Sequence, residues 1–207
     1  SDGAPAWCYD LGEVVLPKAD LRVDALSDAT RARARRSLAS CGFVYLDDWL
    51  QAGHVARLRS AYDAWAASDA AAEFAYPVIG DGRTEHVLPF APPFNDSSVY
   101  AEPILRALLE SYLGPEYKLD LMTVIRAPPG AGDQSWHQDW RYLFHPDEVL
   151  PPYALVLGLP LGDVDPSMGP TEFCAGKKRR YYYGWRCERP VRVGSTAGSA
   201  VLFDYNL

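Results

Sequence analysis

The hydrophobic positions change their spacing about halfway along the chain. Before Gly114 they recur mainly every three to four residues among polar positions, which is the period of amphipathic helices. After Gly114, short runs of β-branched and aromatic residues alternate with glycines and prolines, as is typical of strands. Helices first and strands later predict an α+β fold.

Three helices are predicted in the first half, at residues 27–39, 47–67 and 100–113. Ser27 or Asp28 can cap the first helix through a side-chain oxygen, and Gly42 follows its end. The segment 73–98 holds six prolines and glycines, too many for regular structure throughout. It is predicted either to be a substrate lid or an ordered coil on the domain surface.

Strands are predicted throughout the second half and at two places before it: 13–16, 43–46, 117–126, 135–142, 153–161, 171–174, 191–193 and 199–205. At 207 residues and 48% hydrophobic content, the chain fits one domain with a sizeable core. We expect an extended arm over 1–18, a mainly helical part over 19–116 and a β core over 117–207.

Charge gives no reason to expect nucleic acid or an anionic membrane as a partner, because the net charge is −7. The first helix does carry four arginines, but helical spacing spreads them around the cylinder, which favours a solvated face over a binding surface. No apolar run approaches the roughly twenty residues that span a bilayer. No transmembrane segment is therefore predicted.

The four cysteines show no C-x-x-C spacing: Cys8, Cys41, Cys174 and Cys187. We interpret them as separate thiols, which favours a reducing, intracellular compartment; a disulfide between Cys174 and Cys187 is the alternative. The chain starts with Ser1, which is compatible with a removed targeting peptide, so the cytoplasm or an organelle is expected.

The strongest chemical signal is a His and an Asp two positions apart, His137 and Asp139. On a strand they would point to the same side, giving two corners of the two-His-one-carboxylate triad that binds non-haem Fe(II). Alone, so short a pattern is more often a surface His beside a solvated Asp. The only later His is His145, in a turn; as third ligand it would have to fold back.

Three segments in this order resemble the phytanoyl-CoA dioxygenase-like family of iron and 2-oxoglutarate oxygenases: Trp136 to Asp139, Met168 to Lys178 and Gly198 to Tyr205. The resemblance runs from about Gly42 to Leu207. It implies a distorted jelly roll, a double-stranded β-helix flanked by N-terminal helices, with iron held by His137 and Asp139. In relatives a distal His and an Arg for 2-oxoglutarate follow the third segment, so we expect the C-terminal end of the barrel to lie beyond Leu207.

Within that fold, strand alternation places Thr123 on the same face as Leu121 and Ile125. Thr123 is our candidate for a contact to 2-oxoglutarate, although a buried Thr bonded to backbone is the simpler alternative. Tyr153 is a second candidate for the same pocket. Gly158 stands where relatives often have a bulky side chain, so it either widens the pocket or admits a neighbouring side chain.

A basic-aromatic run begins with Lys177, Lys178 and Arg179, where relatives usually have Ser-His in place of the two lysines. At the pocket mouth these three residues could hold an anionic substrate such as a CoA thioester. The alternative is a hairpin with solvated charges.

Two functions compete. The first is an Fe(II)- and 2-oxoglutarate-dependent dioxygenase, with ascorbate as reductant, that hydroxylates an unactivated C–H bond of a small-molecule or acyl substrate. The second is an inactive structural or accessory subunit of a protein complex, with the arm 1–18 packed on a partner.

Overall fold

The computed structural model describes residues 4–21, 26–77, 82–139, 144, 153–176, 186–205 and 207. Its α-helices are α1 (Leu11–Val14), α2 (Asp28–Ser40), α3 (Ala52–Ala66), α4 (Ser97–Tyr100) and α5 (Pro103–Leu113). Four 3-10 helices lie at Ala6–Tyr9, Lys18–Leu21, Asp69–Phe74 and Pro166–Met168. None of the helices in these residues is long and apolar enough to cross a membrane.

Nine strands are found in the described residues: β1 (Val15–Leu16), β2 (Phe43–Leu46), β3 (Ala75–Pro77), β4 (Thr84–Val87), β5 (Thr123–Arg126), β6 (Leu155–Gly158), β7 (Glu172–Phe173), β8 (Val191–Arg192) and β9 (Ala200–Asp204). They form sheets ordered β1-β2-β9-β6, β3-β4-β5 and β7-β8. The mixed α/β fold is confirmed; jelly-roll closure stays a prediction.

The four-stranded sheet separates two hydrophobic clusters. Val44 and Leu202, which are paired across β2 and β9, pack with α2 and α5 on one face. Phe43 and Phe203, the pair one residue away, pack with Phe173 of β7 on the other face. This alternation explains why β2 is buried along its whole length: both its faces are covered.

The predicted start of α2 is correct. The Ser27 hydroxyl accepts a hydrogen bond from the Thr30 backbone N–H at 3.1 Å. At the other end, Gly42 has a φ of 88°, and a Cβ there would lie 2.2 Å from a Leu207 side-chain carbon. Only glycine fits this turn, for both conformational and steric reasons.

The predicted start of α3 is wrong by about five residues. Asp47 and Asp48 form a turn instead, in which the Asp48 backbone N–H donates to the Ser199 hydroxyl at 3.0 Å. This hydrogen bond to the distant Ser199 outweighs the tendency of an aspartate to cap a helix locally. Gln51 is the residue that precedes the helix.

The breaker-rich segment 73–98 contributes β3 and β4, which neither sequence-based alternative predicted. Both strands are short: β3 ends at Pro77, and β4 ends at Val87, two residues before Pro89. The prolines and glycines therefore mark the ends of strands rather than the absence of strands.

The interpretation of the cysteines as separate thiols is wrong. Cys8 is bonded to Cys41 and Cys174 to Cys187, with Cα atoms 5.4 and 5.7 Å apart. The Cys174–Cys187 bond is the disulfide that the sequence offered as the alternative. Sequence spacing could not show the Cys8–Cys41 bond, because that bond depends on how the Ala6–Tyr9 helix docks against the end of α2. Intracellular localisation stays a prediction, but the cysteines no longer support it.

The N-terminal arm packs on its own domain, whereas its packing on a partner, which the second function supposed, stays a prediction. The guanidinium of Arg36 lies 4.9 Å from the Trp7 ring centre, and that of Arg189 lies 4.0 Å from the Tyr9 ring centre. Arg33 donates to the Val15 carbonyl at 2.6 Å. The arginines of α2 are thus not a purely solvated face, because two of them hold the arm.

Candidate functional site

The segment that carries the His-x-Asp pair is irregular. Residues 135–139, the described part of the predicted strand 135–142, have no strand structure. Pro128 and Gly130 precede it, and the Ala131 backbone N–H closes a turn on the Pro128 carbonyl at 3.0 Å. The strand-based reason for placing His137 and Asp139 on one side is therefore wrong.

The two side chains nevertheless come together. His137 Nε2 lies 3.5 Å from Asp139 Oδ1, and each side chain is about one-third exposed, at 34% and 35%. On the other side of the ring, His137 Nδ1 lies 2.6 Å from the Ser135 carbonyl oxygen. Because a carbonyl can only accept, Nδ1 carries a proton, and in the neutral ring the Nε2 lone pair is directed to the Asp139 side.

The hydrogen bond to Asp139 is the main cause that raises the pKa of His137, and the Ser135 carbonyl adds to it against the opposing effect of burial. The Asp139 carboxylate therefore favours the protonated form of the His137 ring. A divalent cation at Nε2 would compete with that proton, which is the usual competition at a histidine ligand.

The donor set fits part of an iron site. An imidazole nitrogen and a carboxylate oxygen facing each other are the donor types that non-haem Fe(II) takes. The residues that the structure describes contain no group of three or more His, Cys, Asp or Glu side chains able to hold a metal. A third protein ligand would have to come from elsewhere.

Tyr205, directly after β9, lies in the same neighbourhood. Burial raises the pKa of its hydroxyl, and the charges of Asp139, Asp120 and Glu85 raise it further, together with Tyr153. These charges therefore act on the same group, the Tyr205 hydroxyl. The hydroxyl stays protonated at neutral pH and can donate a hydrogen bond.

Thr123 lies at the start of β5. In the β4-β5 pairing Thr123 is opposite Val87 and Ile125 is opposite Glu85, so alternation puts Thr123, Ile125 and Glu85 on one face. Glu85 of this face is among the charges that raise the pKa of Tyr205. Thr123 is half-buried, and its contact to 2-oxoglutarate stays a prediction, as does that of Tyr153.

Two expectations were given for Gly158, a wider pocket or a neighbouring side chain in the free space, and the structure shows the second. A Cβ there would lie 3.1 Å from Val201 Cγ1 and 3.9 Å from Phe203. Neighbouring side chains thus take the space that a side chain at position 158 would use. The remaining sequence candidates, Lys177, Lys178, Arg179 and His145, lie outside the described residues.

Three residues near the candidate site were not predicted: Glu85, Asp120 and Tyr205. Tyr205 belongs to a segment that carried the family resemblance, so its position could have been inferred. Glu85 lies in the breaker-rich segment, and no local pattern marks it.

The comparisons with known proteins identify the family. The family model described as phytanoyl-CoA dioxygenase matches residues 39–207. The chain belongs to this family, whose members are iron- and 2-oxoglutarate-dependent oxygenases. No curated protein matches the chain.

A solved structure supports the fold. It is the "non-heme alpha ketoglutarate dependent carbocyclase SnoK from nogalamycin biosynthesis", which is 15% identical and has a TM-score of 0.62. The match covers 88% of this chain and 76% of SnoK. Family and neighbour together point to a 2-oxoglutarate-dependent oxygenase.

Proposed function

We propose that this protein is an Fe(II)- and 2-oxoglutarate-dependent oxygenase that hydroxylates a C–H bond of a small-molecule substrate. The observation that carries the proposal is the orientation of His137, whose Nδ1 is held by the Ser135 carbonyl while Nε2 faces Asp139. This is the arrangement in which a second hydrogen bond fixes the ring of a metal-binding histidine.

In this proposal His137 and Asp139 hold the ferrous ion, and a further histidine outside the described residues completes the triad. Thr123 and Tyr153 contact 2-oxoglutarate. The metal, with 2-oxoglutarate and O₂, supplies the oxidation chemistry, and 2-oxoglutarate leaves as succinate and CO₂.

The chain's own residues orient the His137 ring and supply a hydrogen-bond donor and apolar surface at the site. The Ser135 carbonyl fixes the His137 ring, and the Tyr205 hydroxyl remains a neutral donor beside Asp139. The open face of β5 supplies apolar surface next to these groups. We favour an enzyme over the inactive subunit, because His137 and Asp139 supply two of the donor types that Fe(II) takes and lie 3.5 Å apart.

The test is metal-dependent succinate formation by protein of natural length, with Fe(II), ascorbate and 2-oxoglutarate. We expect His137→Ala to lower the rate and the Fe(II) affinity at least about 100-fold, because a lost ligand costs more than a lost outer partner. His54→Ala is the control, since His54 is bonded to Asp96 on another part of the surface. Equal rates for His137→Ala and the control would remove His137 from the site.

A further inference from the structure

The three-stranded sheet has one covered face. His86 of β4 and Val124 of β5 are paired on that face, and His86 is 8% exposed. Its Nδ1 lies 2.9 Å from the Tyr62 hydroxyl, and its ring contacts Trp65 edge to face. Helix α3 therefore covers this side of the sheet.

The opposite face carries a different row. Tyr76, Glu85 and Ile125 are aligned across β3, β4 and β5 by the strand register. Aligned cross-strand side chains have Cβ atoms about 5 Å apart, so the three form a continuous strip. Tyr76 is 52% and Ile125 50% exposed, which shows that this face is open.

The strip shares its face with Thr123, the candidate contact to 2-oxoglutarate, which lies two positions before Ile125 on β5. If 2-oxoglutarate is held at Thr123, as proposed above, a substrate beside it on this face would contact the strip.

The charge of the strip is negative. Glu85 has no hydrogen bond or ion pair with any residue in the described ranges. Two cations close to the strip in the described sequence are directed elsewhere: Arg126 follows Ile125 and so points to the covered side, and Arg83 donates to the Gly132 carbonyl at 3.0 Å. A carboxylate flanked by exposed apolar side chains attracts a cation that carries an apolar group.

We propose that this strip is the specificity-determining wall of the substrate site and that it selects a small molecule with an aromatic or aliphatic body and a protonated amine. The amine pairs with Glu85, and the body lies against Tyr76 and Ile125. The reaction of such a substrate rests on the proposed oxygenase function, but its binding to the strip does not. It contrasts with the anionic substrate that the run at Lys177 predicts.

The test measures the binding of two matched probes, 2-phenylethylamine and 3-phenylpropionate, to the 207-residue chain. Binding is measured by ligand-observed NMR, without metal and at low salt. We expect the amine to bind at least about fivefold more tightly. Glu85→Gln should remove this preference, and Glu85→Lys should reverse it. The matched control is Glu73→Gln, because Glu73 is exposed in the preceding 3-10 helix and outside the strip.

Equal or tighter binding of the propionate, no binding of either probe, or the same effect of Glu85→Gln and Glu73→Gln would overturn the proposal. The failure is distinguishable from failure of the oxygenase proposal, since these titrations contain no iron. An active oxygenase that does not prefer the amine would contradict only this inference. A protein that prefers the amine but has no metal-dependent activity would contradict only the proposed oxygenase function.

Discussion

At Gly198 a single hydrogen atom in place of a side chain lets two backbone segments meet. Its φ is 106°, and a Cβ would lie 2.1 Å from the Leu50 carbonyl oxygen. This close approach allows a hydrogen bond, which the Leu50 backbone N–H donates to the Gly198 carbonyl at 2.9 Å. It joins the segment before α3 to the start of β9.

We expect Gly198→Ala to lower the free energy of unfolding by about 2 kcal/mol more than Gly169→Ala, because overcrowding typically costs that much beyond the backbone strain. Gly169 is the control, since it has a φ of 69° and nothing within 4 Å of its added Cβ. Urea denaturation of both variants measures the difference. Equal losses would mean that the Leu50 segment moves aside without cost.

At the scale of elements, the short helix α4 is fixed by the residue that precedes it, Asp96. Asp96 accepts from the Ser98 backbone N–H at 2.9 Å and from the Ser98 hydroxyl at 2.5 Å. His54 Nε2 of α3 lies 3.0 Å from the other carboxylate oxygen. One side chain therefore caps α4 and attaches it to α3.

The hydrogen bonds from Ser98 lower the pKa of Asp96 in the folded protein, with a smaller contribution from His54. A depressed pKa means that the stabilisation is present above the pKa of the unfolded chain and is lost as the pH falls through the lower, folded value. We expect Asp96→Ala to cost about 1 kcal/mol at pH 7. This cost should shrink as the pH falls below about 4.

Asp96→Asn is the matched variant, because an amide oxygen still accepts from Ser98, and it should cost less than Asp96→Ala. The measurement is urea denaturation at several pH values. A cost for Asp96→Ala that stays constant down to pH 2.5 would show that the charge of Asp96 adds nothing.

Prediction from the sequence worked best for elements whose causes are local. Helix α2 needed only a Ser27 cap and the glycine at 42, so its limits were correct. Helix α3 and the His137 segment were wrong where distant groups or glycines and prolines decide the backbone. The prediction that the side chains of His137 and Asp139 lie together was correct. The strand argument for it was wrong, because the two side chains meet although their segment forms no strand.

At the scale of the whole molecule, two disulfides replace the expected free thiols. Cys8 and Cys41 are fully buried and close a separation of 33 residues, whereas Cys174 and Cys187 close a separation of 13. A crosslink restricts the unfolded chain more when the closed loop is longer.

We expect Cys8→Ser with Cys41→Ser to lower the free energy of unfolding by about 4 kcal/mol, and Cys174→Ser with Cys187→Ser by about 3 kcal/mol. Buried hydroxyls in the first pair add to the difference. Denaturation of the oxidised protein and both double variants is the measurement, with thiol titration of the wild type as the control. Four titratable thiols in the native protein would contradict the pairing.

The pairing of β2 with β9 also has a consequence in time. The Asp48–Ser199 hydrogen bond at the edge of this pairing spans 151 positions of the sequence. During synthesis, β2 therefore emerges from the ribosome long before β9, and the apolar side chains that β9, α5 and β7 cover in the folded protein are still exposed. Because such distant contacts form slowly and partly folded chains with exposed apolar surface aggregate, we expect the nascent chain to depend on chaperones until β9 has been synthesised.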